Sequence, residues 1–331
     1  MAFTIAGKPV GRIGVGMMSL TYPGKCPSTE DAIAILKAAL EKGANFWNAG
    51  EHYGTVDYNS LHLLRAYFEK HPEDREKVVV CVKSCFHVGT RRPAVDAKSV
   101  RESIERCLQV LNGSCRIDVF QPGRLDPNIP IEETVKAVAD YVQAGSIGSL
   151  GLGECSAASI RRASEITPVA LAEIEISLFE RSSFRNGVAE ACKELNVPIV
   201  AFSPLSKGLL TGTYRHHDDI PEGDIRKKFF PRFGREAFEQ NSKVVDEVEK
   251  VARRKGCTIS QVGLAWVAAQ GERISTPVMP IPSVSSIARV DENMADIRLT
   301  RAELQEIEEV LGAIEIKGGR APAGMEQYTE V

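Results

Sequence analysis

Two residues whose chemistry depends on each other occupy similar places in different parts of the chain. Tyr53 lies just beyond the short apolar run of "FWNAGEHYG", residues 46 to 54, and Lys83 ends the run "VVVCVK". A phenol titrates far above neutrality, but a cationic lysine beside it favours the phenolate and is expected to lower its pKa. So paired, Tyr53 is placed to give a proton to a carbonyl oxygen while a hydride reaches the carbonyl carbon. Each residue alone also has an ordinary reading, as packing, a surface hydrogen bond or a solvated cation. A lysine emerging from so apolar a run, however, demands a partner once it is buried.

Residues so far apart in sequence meet only if the elements carrying them are neighbours. After a short hairpin candidate, "FTIAGKPVGRIG", the chain alternates short apolar strand candidates with amphipathic helical runs, from "TEDAIAILKAALEKG" to the helices beginning near Ser285 and Thr300. Some eight strands separated by helices predict βα units. One closed (β/α)8 barrel, an α/β fold spanning residues 1–331 as a single domain, explains this regularity better than two separate domains. Its chemical groups are expected where loops converge at the carboxyl ends of the strands. The least regular stretch, residues 212–235, reads as most of a long 206–235 loop over one face, with His216 and His217 solvated.

The balance of 41 basic and 44 acidic residues, interspersed along the chain, marks neither a nucleic-acid surface nor a membrane-binding arm. No stretch reaches the roughly 20 apolar residues that span a bilayer, and the amino end lacks the apolar run of a secretory leader. A reducing setting is therefore expected, the cytoplasm first and the nucleus as an alternative. The eight cysteines include no compact metal-ligand motif. Cys81 and Cys85, as strand residues, would be about 13 Å apart, too far for a disulfide; packing is the expected role for the cysteines, and no metal is expected.

From Gly11 to about Asn293 the sequence resembles the aldo-keto reductase family, through "NAGEHYG", "VKS", "IDVFQPGRLDPNIPIEET", "AFSPLSKGLLTG", "LAWVAAQG" and "PIPSVSSIARVDEN" in that order. Its branch of fungal pyridoxal reductases is resembled most, chiefly through "FQPGRLDPNIPIEET" and "LFERSSFRNGVAEACKELNVPIVAFSPLSKGLLTG". The resemblance implies a catalytic set of aspartate, tyrosine, lysine and histidine. Here Asn48 falls at the aspartate, Tyr53 and Lys83 at the tyrosine and lysine, and Gly123 at the histidine. Asn48 offers Lys83 a carbonyl oxygen but no full charge. Gly123 offers no side chain and is expected to leave room for a bulky aromatic aldehyde.

The same resemblance implies NADPH extended across the barrel mouth. The chain accordingly lacks a G-x-G-x-x-G before a suitable helix. Carried over by position, the cofactor contacts are Glu154 and Glu173, where amides are usual, and Phe202 stacking on nicotinamide. Ser203 and Leu205 follow in the diphosphate-facing loop, and Ser283, Ser286, Arg289, Glu292 and Asn293 surround the adenosine half. Arg289 suits a 2'-phosphate and favours NADPH over NADH. The substrate implied is a small aldehyde or ketone, with pyridoxal first, lined by Trp47, Phe86, Gln121, Gly123 and Arg124. Two alternatives stay open, a broad-substrate carbonyl reductase and a weakly active NADP(H)-binding auxiliary protein.

Overall fold

The computed structural model describes residues 3–24, 26–87, 90 and 92–331. An antiparallel hairpin, β1 (Phe3–Ile5) and β2 (Lys8–Val10), precedes the repeat. The repeat then runs β3 (Val15–Gly16), α1 (Met18–Thr21), α2 (Thr29–Glu41), β4 (Phe46–Gly50), α3 (Ser60–Lys70), β5 (Val79–Ser84), α4 (Ala97–Leu111), β6 (Val119–Pro122) and α5 (Ile131–Gln143). It continues with β7 (Ser149–Gly153), α6 (Ala157–Ser164), β8 (Val169–Glu175), α7 (Val188–Glu194), β9 (Ile199–Phe202), α8 (Ile225–Phe229), α9 (Arg235–Lys255), α10 (Ile259–Ile274), β10 (Val278–Pro280), α11 (Ile287–Asn293) and α12 (Arg301–Ala313). Several helices begin where side chains satisfy their free amides: Ser28 and Asp96 cap α2 and α4, and Thr258 with Gln261 forms a capping box on α10.

Strands β3 to β10 are parallel and pair in sequence order. Gly14 and Gly16 donate their amides to the Pro280 and Pro282 carbonyls, each at 3.0 Å, and so join β3 to the far end of the sheet. The (β/α)8 barrel expected from the alternation is therefore closed.

Period-two alternation then sorts the apolar residues of the barrel strands between two cores. Phe46, Val79, Cys81, Val119, Leu171, Val200 and Met279 fill the barrel interior, stoppered by Ile5 and Val10 of the hairpin. Their neighbours Trp47, Val80, Val82, Phe120, Ala172 and Ala201 face the helices. On the inward side, the residues beyond the apolar floor are polar: Asn48, Lys83, Gln121 and Glu173.

The 206–235 segment is more structured than a bare loop. It holds α8 and short 3-10 turns, and Arg226 ties it together through Asp224, the Lys207 carbonyl at 2.8 Å and the Tyr214 ring. His217, expected in solvent, is buried beside Phe238, because the segment folds back onto α9. Five cysteines, at 81, 85, 107, 155 and 192, are buried, and burial pushes the Cys85 and Cys192 thiols to about 12. No helix among the described residues is long and apolar enough to cross a membrane.

Candidate active site at the barrel mouth

Tyr53 is held by its backbone before its side chain does anything. Its carbonyl accepts from Thr21 Oγ1 at 2.6 Å and from the Ser60 amide at 3.0 Å, while its amide donates to the Gly50 carbonyl at 3.1 Å. The turn that follows needs Gly54, whose φ is +136° and where a Cβ would lie 2.3 Å from the Tyr58 carbonyl oxygen. The phenol so fixed reaches over the end of β5, where Lys83 Nζ donates to Tyr53 Oη at 3.0 Å. The predicted pair exists, with Tyr53 9% exposed at the mouth and Lys83 buried beneath it.

The acidic partner of Lys83 comes from across the barrel. Glu173 of β8 turns Oε1 to the Lys83 ammonium in an ion pair, and its Oε2 accepts from Asn48 Nδ2 at 2.8 Å. A carboxylate only accepts, so this contact fixes the Asn48 amide with its nitrogen toward Glu173. Asn48 therefore serves Glu173 as a donor; among the described residues it does not accept from Lys83. Glu173 is 1% exposed, and both of its oxygens are engaged within the protein.

These contacts set the protonation states. Burial lowers the Lys83 pKa, but the Glu173 carboxylate and the Tyr53 oxygen more than reverse this, so the ammonium is held charged. Burial raises the Tyr53 pKa and Glu173 adds to it, outweighing the opposing pull of Lys83 and Arg124. The expected lowering is thus overturned, chiefly because the phenol is buried and secondly because Glu173 offsets the Lys83 charge. Tyr53 is a neutral phenol at neutral pH.

The remaining predicted residues divide into those at the mouth and those elsewhere. Phe202 closes β9 with its ring centroid 5.6 Å from Lys83 Nζ and 5.5 Å from Arg124 Cζ. Arg124 donates to the Gly123 carbonyl at 2.6 Å. The space left at Gly123 is not vacant: a Cβ there would meet Phe86 Cε2 at 2.5 Å, so the Phe86 ring fills the site and corrects the expectation of open room. Phe86 also packs 4.5 Å from His52, itself 4.6 Å from the Tyr53 ring, and these rings wall one side of the mouth. Gln121 is fully buried below it, accepting from Cys81 Sγ at 3.5 Å. Trp47 is no wall residue: one position before Asn48, it points outward, donates to the Ala44 carbonyl at 2.9 Å and stacks on Tyr67 and Phe68.

Glu154 is likewise engaged internally, accepting from the Glu175 amide at 2.8 Å and from Arg320 at 2.5 Å. Arg320, Glu175 and Lys207 were not foreseen. Lys207 meets Glu175 at 2.8 Å, and Arg320 joins Glu154, Glu175, Glu180 and Glu330. The sequence carried one signal of this network, two same-side acids in the apolar strand "AEIEIS", each needing a cation; nothing local marked Arg320.

At the rim, Ser203 adopts a φ of +48° and Leu205 packs half-buried at the start of the 206–235 segment. Ser283 is exposed, Ser286 caps α11, and the half-exposed Arg289 pairs with Glu292 at 2.5 Å. Asn293 is buried and donates to the Ser283 carbonyl at 3.2 Å, so it braces this loop. Arg289, with Ser283 and Ser286 nearby in sequence, supplies donors of the kind that suit a phosphate, and the flat Phe202 face lies beside the Lys83 ammonium. These residues fit a phosphorylated dinucleotide.

The Aldo/keto reductase family description matches residues 12–312. A probable pyridoxal reductase 2 of Schizosaccharomyces pombe is 36% identical, over 96% of both chains. An aldo-keto reductase of the same yeast, yakc, named for NADP(+), is 33% identical over 97% of this chain and 94% of its own. An aldo-keto reductase of Strobilurus tenacellus, str7, is also 33% identical, over 94% and 92%. A solved glycerol dehydrogenase from Gluconobacter oxydans superposes with a TM-score of 0.83 at 23% identity, over 96% of each chain, a likeness of fold.

Proposed function

Since the chain belongs to the aldo-keto reductase family and is an NADP(H)-dependent oxidoreductase, we propose that it reduces the carbonyl of an aromatic aldehyde, pyridoxal first, to the alcohol pyridoxine. The observation that carries this reading is the neutral Tyr53 phenol receiving the Lys83 hydrogen bond at the carboxyl ends of the strands. When bound, NADPH supplies the hydride for the carbonyl carbon. Tyr53 gives its proton to the carbonyl oxygen as negative charge develops there, and the Lys83 ammonium stabilises the phenolate that remains. Water restores the phenol proton after the alcohol leaves.

Phe202, Ser203, Leu205, Ser283, Ser286 and Arg289 hold the cofactor in this reading, with the 206–235 segment covering it. His52 and Phe86 offer aromatic faces to a flat ring, and Arg124 a cation for an ionised ring substituent. Pyridoxal carries both features, and the likeness to a protein named as a probable pyridoxal reductase supports the choice.

The test is NADPH consumption by purified protein with pyridoxal and a panel of unrelated aldehydes, with products identified. Pyridoxine formation at the highest kcat/KM of the panel is expected; a faster unrelated aldehyde displaces pyridoxal, and no turnover with demonstrated cofactor binding supports the auxiliary-protein reading. Arg289→Ala is expected to weaken NADPH binding about tenfold, the loss of a hydrogen bond to a charged group, and to spare NADH. Titration of both reduced cofactors measures this.

A further inference from the structure

The Lys83 ammonium is buried, and a buried charge persists only where another compensates it. Neither Asn48 nor Gln121, its inward neighbours on β4 and β6, carries charge. Arg124 and Lys83 are both cationic, so Arg124 adds to the imbalance. The carboxylate touching Lys83 is that of Glu173, which also accepts from Asn48 at 2.8 Å. We infer that Glu173 is a positioning residue for the proposed proton transfer: from β8, across the barrel, it holds Lys83 charged and aimed at Tyr53, with Asn48 fixing the carboxylate in place. This rests on the reading of Tyr53 as proton donor, and it gives Glu173 a role other than cofactor contact.

The inference follows from how the groups face each other. Around the phenol stand Lys83 from β5, Glu173 from β8, Arg124 beyond β6 and the His52 ring, with the neutral Cys81 thiol below. Glu173 is the one anion among them. With it, the Tyr53–Lys83–Glu173 set has no net charge while the phenol is protonated. Without it, a bare ammonium and Arg124 face the phenol, which then loses its proton more readily, and the desolvated ammonium loses its own more readily too. Tyr53 and Lys83 titrate as a coupled pair, and both shifts have the same sign. Reduction needs the phenol protonated and the ammonium charged. Removing the Glu173 charge therefore moves the alkaline loss of activity toward neutrality.

The bond between Asn48 and Glu173 permits a control that conserves charge. In Glu173→Gln the negative charge is gone. In Asn48→Asp combined with Glu173→Gln it returns one hydrogen bond away, with the glutamine amide able to donate to the new carboxylate and to accept from Lys83.

The experiment measures two things on the wild type, E173Q and the double variant N48D/E173Q, each first checked for a native melting transition. The first is the ultraviolet phenolate titration of Tyr53 in cofactor-free protein, taken as the difference from the matching Tyr53→Phe variant. The second is the pH profile of kcat for aldehyde reduction, with NADPH affinity measured alongside. E173Q is expected to lower the phenolate midpoint and the alkaline limb together by about one pH unit or more, the shift an uncompensated neighbouring charge produces. The double variant is expected to recover most of that shift, with NADPH affinity near the wild-type value in all three. An unmoved phenolate midpoint in folded E173Q overturns the inference, as does a loss confined to cofactor affinity or a double variant no better than E173Q. Absence of aldehyde turnover in every protein, with the phenolate shift intact, sinks the proposed function and leaves the charge relation standing.

Discussion

The barrel contains two sets that join a buried tyrosine and a buried carboxylate to lysine, and only one is arranged to release a proton. At the mouth, Lys83 donates to the Tyr53 oxygen, and Glu173 bonds Lys83. At the opposite end, in the turn between α3 and β5, Asp74 takes Lys37 at 2.7 Å, Lys77 at 2.8 Å and the Tyr67 hydroxyl at 2.8 Å. Tyr67 spends its proton on the carboxylate, whereas Tyr53 receives a hydrogen bond and keeps its own proton free. Tyr67 is also sealed under Trp47 and Phe68. The order of the bonds, and not the residue types, separates a donor from a brace.

The sharpest way to break this comparison is to remove each hydroxyl. Tyr53→Phe is expected to cut kcat about 100- to 10,000-fold, the range for general acid catalysis, with cofactor affinity little changed, because the proton is needed chiefly at the transition state. Tyr67→Phe should leave kcat at the wild-type value and lower stability by about 2 kcal/mol, a lost hydrogen bond to a charged group. Equal losses of kcat in steady-state assays of the two would show the distinction to be wrong.

Next in size is the base set's charge. Burial opposes ionisation of Asp74, yet its bonds to Lys37, Lys77 and Tyr67 hold its pKa at about 2. This value lies below the roughly 3.9 of an unfolded aspartate, so the stabilisation is complete above about pH 4 and is lost as pH falls toward 2. Asp74→Asn is expected to cost about 3 kcal/mol at neutral pH, two charge-assisted bonds, and its denaturation midpoint should converge on the wild type across that acid window. Parallel midpoints at pH 7 and pH 2.5 would remove Asp74 as the source.

The smallest effect probes the packing at the mouth. The Cβ of Gly123→Ala would meet Phe86 Cε2 at 2.5 Å, Phe86 Cζ at 2.7 Å and Lys83 Cγ at 2.9 Å, so both side chains must give way, and KM for aromatic aldehydes should rise roughly tenfold, the worth of one methyl in a pocket. Equal changes in KM for short aliphatic aldehydes would show that Phe86 does not line the aromatic subsite.

Much of this was legible locally. Alternating apolar runs and capped amphipathic helices specify βα units, and a lysine ending an apolar strand announces a buried cation. Period-two parity, applied strictly, would also have turned Trp47 outward, since it adjoins the inward Asn48. The identity of Lys83's counter-charge was beyond such reasoning. β5 and β8 are separated by two strands in the sheet, so Lys83 and Glu173 meet only because the barrel closes and brings opposite walls together. The same holds for Phe86 over Gly123 and for Arg320, which reaches Glu154 from beyond the last helix. Local pattern is written in neighbouring residues and decides which side chains turn inward; the pairing of charges across an interior depends on distances that exist only once the ring of strands is shut.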